Sequence, residues 1–233
     1  LNTSAIASSK TPMTVEQLFR TRAREVLDYL KSLQSLERMH HTPGRGFYRA
    51  TSAITASRAS AFIMIYNCVE YGSREALVAV RQEILHKGEE YGRLKLYWRE
   101  EIARAHFRDR LAQGSSHERL LKDFAGFVPG KVDWKSDFHK LPFPGNVDND
   151  EWMRFIRRID MSWTPPRSSL GGSDLVLVRQ MRNVLAHGAD TFENVGSQFS
   201  TEDMIDKFRR IRAFMVSLIK ALEKYRQSRA YNG

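Results

Sequence analysis

The chain has 233 residues, enough for one large domain or two small ones and for a core that needs no staples. Its single cysteine, Cys68, excludes an intrachain disulfide, no Cys/His spacing resembles a zinc site, and the longest uncharged apolar run, 59–66, is too short to cross a bilayer. These features favour a reducing, cytoplasmic setting, and the net charge of +10 suits a polyanionic partner, nucleic acid first, although a basic protein without such a partner carries the same balance.

Residues 1–13 are polar and small, lack the basic and apolar regions of a signal peptide, and read as a disordered leader. Thr14 opens T-V-E-Q, a capping-box pattern. Val15, Leu18, Phe19, Ala23, Val26, Leu27, Leu30 and Leu33 then recur at helical spacing, predicting a helix to about His40. His40 and His41 fall at its exposed end, and T-P-G-R-G at 42–46 breaks it. A long helix is expected from about Phe47 to Lys87. Its middle, ASAFIMIYNCVEYG, is apolar nearly all round and reads as a central buried element, with Cys68 in the core and Gly72 as a point of kinking. A charged amphipathic helix follows over about Arg93–Leu111. Residues 112–147 are irregular, 148–160 predict a short helix, and 163–172 a loop. Ser173 is placed to N-cap the next helix, which ends at Gly188 in a C-cap position. After a further loop, S-T-E-D at 200–203 opens a last helix to about Arg229. The expectation is an all-α antiparallel bundle of four to five main helices, a single domain over 14–233, with an irregular insertion at about 112–172.

The segment R-N-V-L-A-H-G at 182–188 carries an Arg-x4-His spacing. In an Arg-rich chain with seven His, about one such match is expected by chance, and Arg81 with His86 supplies a decoy. Five helical positions turn through about 500°, so Arg182 and His187 point about 140° apart. The apolar arc of this helix is Leu177, Val178, Met181, Val184 and Leu185. Arg182 lies at its edge, and Arg179, Asn183 and His187 lie on the polar side. One regular helix does not aim Arg182 and His187 at one small group. Convergence requires either that the helix ends before His187 and Gly188 turns the chain, or that two copies meet across a symmetric dimer. The alternatives are structural: an ion pair for Arg182, the helix dipole for His187, solvent for Asn183.

The wider pattern is more specific. R-N-V-L-A-H-G is followed by A-D-T-F-E-N-V-G and a charged helix, and I-Y-N-C-V-E at 65–70 sits upstream in the apolar helix. This combination resembles the HEPN superfamily (higher eukaryotes and prokaryotes nucleotide-binding), in particular the MAE-type stand-alone prokaryotic HEPN nucleases. The resemblance covers 59–71 and 175–225 and leaves 112–160 without a recognisable signal. It selects Arg182 and His187 over the decoy. Some HEPN toxins carry a Tyr two residues after the His, which a nucleotidyltransferase antitoxin modifies; here that position is Ala189, so that partner is not implied.

What the resemblance implies is a metal-independent endoribonuclease, a toxin or antiviral effector, in which the ribose 2′-OH attacks phosphorus to leave a 2′,3′-cyclic phosphate and a 5′-OH. The residue types suit that reaction. A histidine changes protonation near neutrality and can serve as base or acid. An arginine forks onto phosphate oxygens and stabilises developing charge. The catalytic candidates are therefore Arg182 and His187, with Asn183 to orient His187 or the phosphate. Glu70 is a carboxylate in an apolar helix that needs a partner, either as a group orienting Arg182 or tuning His187 or as half of a structural ion pair. Asn67 is a lesser candidate. Two proton transfers need two groups, which a homodimer supplies. No Asp/Glu cluster suggests a metal site, and no cofactor is expected. The expected partners are RNA, a second copy, and an antitoxin or defence protein; no membrane is implied. Arg93, Lys95, Arg99, Arg104 and Arg108, then Arg154, Arg157 and Arg158, then Arg209, Arg210 and Arg212 are candidate RNA guides, with solvated helix faces as the commoner explanation. Trp98, Trp134, Trp152 and Trp163 are more often core than base-stacking platforms. The alternative function is a non-catalytic HEPN module that binds RNA, a nucleotide or a protein, and a third is a basic helical scaffold.

Overall fold

The computed structural model describes residues 13–39, 47–112, 114, 116, 118, 119, 122, 139–143 and 146–233. The described residues form α1 (Val15–Met39), α2 (Phe47–His86), α3 (Leu96–Ala112), α4 (Asn149–Arg158), α5 (Ser173–Ala186), α6 (Phe192–Ser197) and α7 (Thr201–Gln227). Single 3-10 turns cover Tyr91–Arg93 and Arg167–Gly172. Among the described residues there is no strand, only isolated bridge positions such as the antiparallel pair Leu94 and Asn232. The all-α expectation holds. The leader, the 42–46 break, His40, His41, Trp134 and most of 112–138 lie outside the described residues.

Local chemistry starts the helices. At α1 the Gln17 N–H donates to Thr14 Oγ1 (3.2 Å) while the Thr14 N–H donates to Gln17 Oε1 (2.8 Å), the reciprocal box read from T-V-E-Q. Asp148 caps α4 by accepting from the Glu151 N–H, and Ser200 caps α7 by accepting from the Asp203 N–H. Ser173 does not cap α5. It is the first helical residue, and the cap position is Gly172, at φ +88. A Cβ on Gly172 would stand 2.7 Å from the Phe214 ring, so the chain needs both the left-handed turn and the missing side chain there.

The central element is α2, against which α1, α5, α6 and α7 pack. Its 40 residues run without interruption through Gly72. Gly72 is where α1 comes closest: a Cβ would lie 2.6 Å from Phe19 Cδ2. The segment 192–197, expected as loop, is the helix α6, capped by Thr191. Cys68 is buried as expected, and burial pushes its thiol up to about 12.

At one end, α3 and α4 join the bundle through edge-to-face rings: Tyr97 on Phe155 (5.2 Å), Phe143 on Trp152 (5.0 Å) and Trp152 on Phe155 (5.6 Å). Trp98 Nε1 donates to the Tyr225 hydroxyl at 2.9 Å, tying α3 to α7. Trp98 and Trp152 are thus core, and Trp163 is half-buried with its indole N–H on Ser217. No described helix is long and apolar enough to cross a membrane.

Candidate functional site

R-N-V-L-A-H-G forms the last two turns and the cap of α5. Leu175, Val178 and Leu185 are buried, with Met181 and Val184 packed beside them, which fixes the roll of the helix on α2 and α7. The helix ends at Ala186, one residue before His187. The Ala189 N–H then donates to the Val184 carbonyl (3.0 Å) and the Gly188 N–H to the Leu185 carbonyl (3.3 Å), with Gly188 at φ +65. This is the Schellman closure, in which glycine accepts the left-handed step at no steric cost. The A-H-G tail therefore has a structural reason for its glycine, and His187 occupies the C-cap at φ −95, ψ 0. Its imidazole is exposed and makes no hydrogen bond to the described chain.

Arg182 points elsewhere, into a cleft of about 700 Å³ between α2, α5, residues 139–143 and residues 146–147. Its guanidinium carbon lies 4.5 Å from the centre of the Tyr66 ring, a cation–π arrangement, and its Nη1 donates to Asn183 Oδ1 at 2.9 Å. Asn183 Nδ2 in turn donates to Asn146 Oδ1 at 3.0 Å. The neighbouring residues continue the docking: the Val147 N–H donates to the Tyr66 hydroxyl (3.1 Å), and Asp148 pairs with Arg179 (3.0 Å). Three consecutive residues, 146–148, thus bind α5 and α2 and lie along the polar side of α5 that carries Arg179 and Asn183. His187, one turn further, is left outside this cover. Burial raises the Tyr66 hydroxyl above its ordinary range; the Val147 N–H and the Arg182 charge pull it partly back. It remains a neutral phenol at physiological pH.

The four sequence candidates are thus only partly assembled. Arg182 and Asn183 are joined, and Asn183 orients Arg182 rather than His187. Glu70 lines the same cleft, but its carboxylate pairs with Arg74, one turn on, at 2.6 Å, so the ion-pair alternative describes it rather than an orienting bond to Arg182 or His187. Asn67 is exposed. The helix does end before His187 and Gly188 does turn the chain, yet among the described residues no hydrogen bond joins Arg182 to His187 and only Arg182 lines the cleft. Sequence reasoning did not single out Arg74 or Asn146, gave Arg179 only a place on the polar side of α5, and gave Tyr66 no role beyond its place in Y-N-x-x-E. That pattern sets Tyr66 and Glu70 on one face of α2. Nothing local signals Asn146.

The decoy resolves as structure. Arg81 is buried, pairs with Glu101 on α3 and donates to the Lys140 carbonyl at 2.7 Å. The basic helix faces are largely neutralised. Lys95 pairs with Asp160, Arg104 and Arg158 with Glu100, Arg154 with Glu151, and Arg209 with Asp206. Arg210 makes a two-pronged bond to buried Asp174. Among the described residues no group of three or more His, Cys, Asp or Glu is arranged to hold a metal ion.

A family model for MAE-like HEPN proteins matches residues 13–231. Neither the curated proteins nor the solved structures gave a match.

Proposed function

The chain belongs to the MAE-like HEPN family, and on that premise we infer that it is an endoribonuclease whose chemistry rests on Arg182 and His187 at the end of α5. What carries the reading is the state of those two side chains. His187 is solvent-facing and has no hydrogen-bond partner in the described chain, although it sits in a cap whose geometry fixes its backbone. Arg182 is held over the Tyr66 ring at the wall of a cleft, with Asn183 accepting from its Nη1. A guanidinium so held keeps its outer N–H groups for a phosphate.

The step follows from these residue types. The 2′-oxygen forms a bond to the adjacent phosphorus while the bond from phosphorus to the 5′-oxygen breaks. A base takes the 2′-OH proton, and an acid returns a proton to the departing 5′-oxygen. Histidine serves either role, and Arg182 offsets the charge that grows on the non-bridging oxygens. No metal or cofactor enters this scheme. A role as toxin or defence effector, with a partner protein that restrains it, fits a ribonuclease of this family.

The test is cleavage of RNA in EDTA by the full chain, His187→Ala and Arg182→Ala, each checked for folding. Both substitutions are expected to lower the rate by at least about a hundredfold, with cyclic phosphate ends on the wild-type products. Cleavage that survives both substitutions removes the reading. A folded wild type that binds RNA without cutting it supports the non-catalytic module instead.

A further inference from the structure

Three side chains of α2, Tyr66, Glu70 and Arg74, recur four positions apart and line the cleft that Arg182 enters from α5. Tyr66 lies under the Arg182 guanidinium. Arg74 stands eight positions beyond Tyr66, about 12 Å along the helix axis. Glu70 falls between them in the helix, and its carboxylate takes one nitrogen of Arg74, Nη2, at 2.6 Å. That is the only hydrogen bond that Arg74 makes to the described chain, and its side chain is 39 % exposed. Arg182 is arranged alike, with one nitrogen, Nη1, on an acceptor of its own helix. Both differ from an arginine that ties the fold together. Arg226 places Nε and Nη2 on Glu223 and Nη1 on Glu83, so acids meet all three of its nitrogens. A guanidinium carries five N–H donors. Arg74 and Arg182, each held through one nitrogen, bring their remaining donors to one cleft. A half-exposed i, i+4 pair adds little to stability. The effect of the Glu70 carboxylate is to limit where Arg74 points.

We propose that Arg74 is a second phosphate contact of the RNA site, made to another backbone phosphate of the strand that Arg182 holds, and that Glu70 is a positioning residue for it. An arginine fork takes two phosphate oxygens. A contact to the backbone fixes where the strand lies without reading its sequence. Both arginines belong to helices, so the spacing of the two contacts is set by the packing of α5 on α2, and the strand runs along α2 from Arg182 towards Arg74. The ligand class rests on the ribonuclease reading, but binding tests Arg74 apart from cleavage.

The experiment measures fluorescence anisotropy of a labelled single-stranded 2′-O-methyl RNA, which lacks the attacking hydroxyl, with the wild type, Arg74→Ala and Arg74→Lys. Glu70→Gln and Glu70→Ala are measured alone and in the Arg74→Ala background. Lys31→Ala, on the exposed face of α1, is the control. Arg74→Ala is expected to weaken binding by roughly two- to fivefold on every sequence and to lower the slope of log affinity against log salt by about 0.7, one phosphate contact on a single strand. Arg74→Lys and the control keep the slope. Glu70→Gln, which keeps an acceptor for Arg74, binds at least as tightly as the wild type, and Glu70→Ala binds more weakly than Glu70→Gln. That difference disappears in the Arg74→Ala background. Cleavage of an unmodified RNA is followed in parallel. Wild-type affinity and slope in Arg74→Ala overturn the proposal, and if the wild type still cuts, the ribonuclease reading survives alone. Equal binding by Glu70→Ala and Glu70→Gln overturns the role of Glu70. Weakened binding by Arg74→Ala with no cutting by the wild type upholds the contact and removes the ribonuclease reading. A wild type that binds no RNA overturns both.

Discussion

Tyr66 presents its ring to the Arg182 guanidinium and its hydroxyl to the Val147 N–H, so one side chain on α2 holds both the motif arginine and the segment that covers it. The two jobs separate in Tyr66→Phe, which keeps the ring and deletes the acceptor. Val147 is buried, so its N–H is left without a partner. A stranded buried donor costs about 1–3 kcal/mol, and chemical denaturation should show a loss in that range while Arg182 keeps its aromatic face. Unchanged stability would mean that solvent reaches the N–H and that the segment is held by Asn146 and Asp148 alone. Asn183 acts at the same scale: by accepting from Arg182 and donating to Asn146 it turns one residue of the motif into a joint between α5 and the stretch 146–148.

At the scale of elements, α6 lies so close to α2 that Gly196 is indispensable. A Cβ there would stand 1.7 Å from the Thr55 carbonyl oxygen, a backbone atom of α2 that cannot swing aside. Glycine inside a helix ordinarily costs up to about 1 kcal/mol relative to alanine, so Gly196→Ala would stabilise an isolated helix. Here the overlap forces α6 off α2, and the expected outcome is a loss of about 3 kcal/mol or more, read as a fall in Tm. Gly92→Ala, where nothing lies within 4 Å, should leave Tm nearly unchanged. Equal melts for the two would refute this account of the V-G pair. The same contrast explains what the sequence could reveal. The caps at Thr14 and Ser200 were legible because each is satisfied within three residues. The roll of α5 was legible from its apolar arc, and with it the divergence of Arg182 and His187 along one regular helix. The helix α6 was not, because six residues span too few turns to display a period. Gly72 is ambiguous for a related reason: a glycine in a helix signals a kink or a close approach alike, and the close approach comes from Phe19, 53 positions away. The docking of 146–148 is a contact between segments far apart in sequence, and the stretch that makes it has neither period nor motif.

At the scale of the molecule, the two halves of the motif face different surroundings: Arg182 looks into the cleft and His187 into solvent from the end of α5. On the ribonuclease reading, we expect a second chain to bring the two side chains to one phosphodiester. In a two-fold dimer the same surface meets itself, so the exposed end of one α5, with His187, can lie against the cleft of the other, with Arg182. This arrangement has a quantitative signature. Arg182→Ala and His187→Ala are each expected to be inactive alone. Mixed in equal amounts and allowed to exchange, half of the dimers are hybrids, and each hybrid has one site with both side chains and one with neither. The mixture should recover about a quarter of the wild-type activity, and wild-type specific activity should fall when the protein is diluted below its dimer dissociation constant. A site contained in one chain gives no recovery on mixing and a specific activity independent of concentration, because no exchange of subunits can return a missing side chain to its own chain.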